Sequence, residues 1–158
     1  MNLRPIFTFA FGLALAAPGC ASNAGCPVLD CSNGVGVIVN ALVPKVSASL
    51  PVTLEVCLDT TCSAFQLTAT GGAAPPECTD PPGSNALCSI DGEGTLILTT
   101  LPLPDGTAAG AVVSVHATVT NKDGDSLFDA TTPVTVTATQ PAGPSCPSCE
   151  GGQAVFTP

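Results

Sequence analysis

Tryptophan and tyrosine are absent from the chain, and Lys and Arg together number three against twelve Asp and Glu. Carbohydrate platforms stack sugars on Trp or Tyr rings, so the first absence argues against a sugar-binding face. The second leaves no cationic surface to neutralise phosphates, which argues against nucleic acid as a partner. Histidine occurs once, at His116, which excludes the usual multi-histidine catalytic zinc centre. A Ser-His-Asp triad lacks its nucleophile elbow, since no G-x-S-x-G occurs. Past the leader, no segment of ten or more residues carries an apolar stripe at helical spacing. Charged residues make up only 9 % of the chain, whereas Gly and Pro number 16 each, so turns are frequent and helices few. Phe7, Phe9 and Phe11 fall in the leader, which leaves Phe65, Phe128 and Phe156 for the fold. The core must therefore be Val, Leu, Ile and Ala.

Residues 1–20 have the three parts of an export signal: "MNLRP" with Arg4, the apolar "IFTFAFGLALAA", and small residues before Cys20. The apolar stretch is too short to span a bilayer comfortably. Ala17-Pro18-Gly19-Cys20 resembles the lipobox of bacterial lipoproteins, in which a peptidase cuts before a cysteine that carries diacylglycerol through a thioether. That resemblance implies lipidation at Cys20 and anchoring to the membrane. Cleavage by an ordinary signal peptidase, for example after Ala24, is the alternative and implies a freely secreted chain. Cleavage before Cys20 leaves 139 residues, 158 less 19, with Lys45 and Lys122 as the cations against all twelve acids, a formal charge of −10. Self-repulsion at that charge favours a soluble module.

Nine cysteines cannot all pair within one chain, but without Cys20 an even set of eight remains, as expected of disulfides in an oxidising compartment. Proximity along the chain pairs Cys57 with Cys62 across a hairpin, with both on its outward face if Leu58 pairs with Thr61. It pairs Cys78 with Cys88 around "TDPPGSNAL", and places Cys26 and Cys31 with Cys146 and Cys149, tying a tether to the last strand. Two other chemistries use the same residues. "CPSC", residues 146–149, has thioredoxin-type spacing, but that chemistry needs a helix N-terminus that "QPAGP" and "EGG" do not supply. Cys26, Cys31, Cys146 and Cys149 have the makings of a four-thiolate zinc site, against which export into an oxidising compartment argues.

From residue 34 the pattern alternates with period two. Strands are expected at 35–40, 51–58, 62–70, 94–101, 110–120, 126–139 and 152–158, separated by Asp-Gly turns such as "LPDGT", "NKDGD" and "IDGEG". Val52, Leu54, Val56 and Leu58 share one face of the second run, and Phe65 and Leu67 point inward from the third. Pro133 interrupts the sixth run, which marks an edge position, a bulge, or two strands passing from one sheet to the other. His116 alternates with Val113, Val115, Ala117 and Val119 and so belongs to the solvent side.

This layout is similar to the immunoglobulin-like and fibronectin type III sandwiches of exported bacterial proteins. "LEVCLDTTC" (54–62) and "QPAGPSC" (140–146) also resemble segments of uncharacterised bacterial lipoproteins, a likeness that carries no function with it. The expected fold is an all-β antiparallel immunoglobulin-like sandwich of about seven strands, stapled by disulfides. Residues 1–19 are the expected signal, 20–33 a lipid-anchored tether and 34–158 the sandwich.

The most arguable ligand site is "NKDGDSLFD", where Asn121, Asp123, Asp125 and Asp129 repeat oxygen donors as a calcium loop does. Ser126 and Thr132 stand where such a loop has Gly and Glu, and a hairpin turn accounts for the same residues without an ion. No cofactor is expected. The function that fits is a non-enzymatic cell-envelope lipoprotein whose sandwich serves adhesion, interaction or spacing, with another envelope or surface protein as partner. The alternatives are a secreted calcium- or carbohydrate-binding module and a thiol redox or metal-handling lipoprotein.

Overall fold

The computed structural model describes residues 33–71, 76–84, 86–140, 146 and 148–158; Cys20, Cys26 and Cys31 lie outside them. The described chain forms ten strands in two five-stranded sheets. In chain order these are β1 (Gly34–Val39), α1 (Leu42–Val46) with a 3₁₀ turn at Ser47–Ser49, β2 (Val52–Leu58), β3 (Thr61–Thr68), β4 (Glu77–Thr79), β5 (Leu87–Ile90), β6 (Leu96–Leu101), β7 (Val112–Asn121), β8 (Ser126–Thr135), β9 (Thr137–Thr139) and β10 (Cys149–Phe156). The first sheet runs β5-β6-β1-β10-β9 and the second β4-β3-β2-β7-β8.

Each expected run forms a strand, and the additions are short. β4 and β5 flank the Cys78–Cys88 loop, and the long sixth run divides at Val136 into β8 and β9. α1 is a single turn, too short to show a helical period. Leu42 and Val46, four residues apart, lie on its buried face.

Period-two alternation builds the core. Val52, Leu54, Val56 and Leu58 from β2, Val113, Val115, Ala117 and Val119 from β7, and Phe65 and Leu67 from β3 are buried under the second sheet. Val35, Val37 and Val39 from β1, Leu96, Leu98 and Leu101 from β6, and Ala154 and Phe156 from β10 meet them from the first. Among the described residues every buried side chain is apolar, so the core is held by shape and hydrophobicity alone. Leu101 breaks the alternation set by Leu96 and Leu98, and a register shift restores it: Val37 pairs with Leu98 but Val35 with Leu101. The extra residue lies at Thr99–Thr100, with Thr100 at φ 46°, and it turns Leu101 back toward the core.

Both open edges of the sandwich are tied. On one side Cys78 of β4, at the rim of the second sheet, is bonded to Cys88 of β5, at the rim of the first. On the other side the chain itself crosses: β8 edges the second sheet, β9 edges the first, and Val136 between them exchanges backbone hydrogen bonds with Gly110 and Ala111. Pro133 lies in β8 opposite Ser114, so two of the readings offered for it hold together, edge strand and sheet-to-sheet passage. The Phe128 and Phe156 rings meet edge to face at 6.0 Å between centroids, joining β8 to β10.

Antiparallel pairing is the rule among the described strands, and β1 with β10 is the exception. These two run parallel through six pairs, from Gly34↔Gly151 to Val39↔Phe156. Asn33 Oδ1 accepts the Glu150 N–H at 2.8 Å and fixes the start of that register. Glycine makes the close approach possible. A Cβ on Gly34 would collide with the Leu101 carbonyl oxygen, and one on Gly151 would come within 2.6 Å of the Gly34 carbonyl oxygen.

Gly34→Ala and Gly151→Ala are each expected to destabilise the fold by ~1–3 kcal/mol through this overpacking. Gly36→Ala, whose Cβ would stand 3.8 Å from the nearest atom, should cost well under that. Urea unfolding midpoints of the three variants check the order; equal midpoints would contradict the packing described.

Candidate functional site

The outward positions of the two sheets differ in chemistry. On the second sheet the ladder sets Asp129 beside Thr118 and Thr118 beside Glu55, and sets Thr131, His116, Cys57 and Cys62 in the adjoining row. His116 Nε2 lies 2.9 Å from Asp129 Oδ1 and 3.2 Å from Thr118 Oγ1. Both contacts fall on one ring nitrogen, whereas a hydrolytic relay uses the two nitrogens for base and orienter separately. The pair is open to water, with His116 42 % and Asp129 61 % exposed, and is worth little to stability. His116 thus faces solvent as its alternation required.

The acidic turn is accounted for by its own backbone. Asn121 Oδ1 accepts the N–H groups of Asp123 at 2.9 Å and Asp125 at 2.8 Å, while Asn121 Nδ2 donates to Asp125 Oδ2 at 3.0 Å. Gly124, at φ 86°, completes the reversal. Asp129 stands apart from this turn, at the Thr118 position of the ladder with its carboxylate on His116. The four candidate calcium ligands are therefore divided between a hydrogen-bonded turn and a sheet face.

Cys57 and Cys62 pair directly across the β2–β3 hairpin and are bonded, with Leu58 opposite Thr61. Cys62 is exposed, whereas Cys57 is covered by its neighbours despite its outward position. Cys146 and Cys149 are disulfide-bonded, and Cys149 opens a strand rather than a helix. The pairing expected for Cys26 and Cys31 and the lipidation of Cys20 fall outside the described residues. The disulfides point to an oxidising, extracytoplasmic environment. No helix among the described residues is long and apolar enough to cross a membrane.

A cleft of about 700 Å³ opens where α1 crosses the end of the sandwich, between Val43, Pro44, Leu50 and Ile90 and the turn bearing Asp91 and Glu93. Asp91 Oδ1 is occupied by the N–H groups of Glu93 at 2.9 Å and Thr95 at 2.8 Å. No buried side-chain N or O among the described residues is left without a partner, so none is held in reserve for a ligand there.

The outward face of the first sheet carries an uncharged row across four strands. Its ladder aligns Val155, Ile38, Ile97 and Ser89 across β10, β1, β6 and β5, with Gln153, Gly36, Thr99 and Leu87 beside them. None of these eight residues is charged, in a chain of net charge −9. Leu87 is 63 % and Val155 51 % exposed, while Ile38 and Ile97 are half-buried between their neighbours. Sequence reasoning missed this row because it looked for alternation. The signal was its failure: "VGVIV" and "LIL" are apolar at successive positions, so both faces of these strands carry hydrophobic side chains.

Asn121→Ala removes the acceptor of two backbone N–H groups and is expected to cost ~1 kcal/mol of stability. Calcium at millimolar concentration should leave the wild-type melting temperature unchanged. A calcium-dependent rise in that temperature, abolished by Asn121→Ala, would instead establish an ion site at the turn.

Comparison with protein families, with curated proteins and with solved structures finds no match to this chain.

Proposed function

We propose that the chain is a non-enzymatic, lipid-anchored envelope module of immunoglobulin-like type that binds another envelope or surface protein through the outward face of its first sheet. The observation that carries this reading is the uncharged row Val155–Ile38–Ile97 with Leu87 in the row beside it, Val155 and Leu87 being exposed on a strongly acidic molecule. Contiguous apolar surface on a soluble domain marks a contact site, and here it lies on strands too well packed to rearrange. A partner must match it with an uncharged, largely apolar surface of its own.

The leader and the Ala17-Pro18-Gly19-Cys20 sequence support attachment through acyl chains on Cys20. Each buried methylene contributes about 0.8 kcal/mol, and two or three chains hold a protein at a membrane where one does not. The acidic surface slightly opposes approach to anionic headgroups, so the anchor acts alone. The same shortage of cations argues against nucleic acid as the partner.

The test places a photoreactive side chain at Ile97 or Val155 on the first sheet, and at Thr118 on the second, in the native cell envelope. Adducts with one discrete protein from Ile97 and Val155 but not from Thr118 are expected. Cys20→Ser should move the chain out of the detergent phase and cut adduct yield at least severalfold. No adduct from any position, or equal adducts from both sheets, would sink the interaction reading; a Cys20→Ser chain that stays in the detergent phase would sink the anchor.

A further inference from the structure

The Cys57–Cys62 disulfide is poorly explained as a staple. It closes a separation of only five residues, where cross-linking restricts the unfolded chain least. Seven ladder pairs, from Val52↔Leu67 to Leu58↔Thr61, already hold the same hairpin. The Asp59 N–H donates to the Ser114 carbonyl at 2.8 Å and the Ser114 N–H to Asp59 Oδ1 at 2.9 Å, which anchors its turn to β7. Cys78–Cys88, by contrast, joins the rims of two different sheets, where the Cys88 N–H also donates to Asp80 Oδ1 at 2.8 Å. Cys62 is exposed at the surface, where a thiol reagent reaches it.

A carboxylate lies beside the bond. Glu55, two residues before Cys57 and on the same face, brings Oε1 to 3.9 Å from Cys57 Sγ. A carboxylate oxygen of Glu55 and the sulfurs of Cys57 and Cys62 all lie within 4.8 Å of one another. Two thiolates and a carboxylate suit a borderline-soft divalent ion such as zinc better than a hard cation. His116 stands opposite Cys57 in the ladder, with its Nε2 on Asp129.

We propose that Cys57–Cys62 is a reducible disulfide and that its two thiols, together with Glu55, bind a zinc-like divalent ion once it is opened. In the reducing step an external dithiol attacks the exposed sulfur of Cys62. The protein S–S bond takes up two electrons and two protons to give two thiols, and the donor dithiol is oxidised to its own disulfide. The ladder pairs Cys57 directly with Cys62, so the two thiols stay neighbours across the hairpin after the bond is broken. Metal binding then displaces the two thiol protons to solvent. The oxidised hairpin has no thiolate and binds no such ion, which makes occupancy a readout of the thiol redox state.

Limited dithiothreitol followed by alkylation and mass spectrometry tests the first half on the full chain. Cys57 and Cys62 should be labelled at least tenfold faster than Cys78 and Cys88; equal or slower labelling overturns the proposal. Cobalt(II) is the probe for the second half. The partly reduced protein should develop thiolate-to-cobalt absorption that zinc abolishes, and Glu55→Gln should weaken cobalt binding at least tenfold. Absence of that absorption, its persistence in the Cys57→Ser/Cys62→Ser protein, or unchanged affinity in Glu55→Gln each contradicts the site.

Discussion

Because β1 and β10 run parallel, the chain must leave its first strand, traverse both sheets and return from the same end before the last strand can settle beside it. That return constrains everything between. β10 can enter only if β1 leaves its flank open, and glycine at Gly34 and Gly151 provides the room where a Cβ would strike backbone. Once β10 is in place the first sheet has a centre, with β6 on one side of the pair and β9 on the other. Non-local pairing of this kind is entropically costly to form. Cys146 and Cys149, at the approach to and the start of β10, are both disulfide-bonded.

The two sheets then divide the work of the molecule. Their inner faces make a core without a buried polar group among the described residues, so nothing in it specifies chemistry. The edges are closed by different means, one by the Cys78–Cys88 bond and one by the passage of β8 into β9. What remains for function is the pair of outer faces. One is apolar and uncharged, with Val155, Ile38 and Ile97 in register; the other gathers Glu55, His116, Asp129 and a disulfide. The proposed partner contact and the proposed thiol response thus fall on opposite sides of the same sandwich.

Much of the architecture was legible because one physical rule wrote it. Where one face of a strand is buried and the other wet, period two appears in the residues, as in Val52-Thr53-Leu54-Glu55-Val56. The hairpin disulfide followed from the same register, since pairing Leu58 with Thr61 places Cys57 opposite Cys62. The misses have physical reasons too. β4 and β5 are three and four residues long and held by neighbours and a disulfide rather than by their own pattern. α1 is one turn whose helicity comes from burying Leu42 and Val46. The parallel return of β10 leaves no local trace, because glycine marks close approach without naming the partner. The apolar outer row was hidden by the rule that revealed the rest: a strand apolar on both faces reads simply as hydrophobic.

Because β1 and β10 form the centre of the first sheet, their ladder is expected to open only with the whole fold. Native-state hydrogen exchange addresses it amide by amide. Amides in the β1–β10 ladder should share a single opening free energy equal to that of global unfolding, and those of β4 and β5 should exchange earlier. Exchange of the β10 amides well before those of β2 and β7, with β1 still protected, would show that the last strand is an appendage and contradict the account.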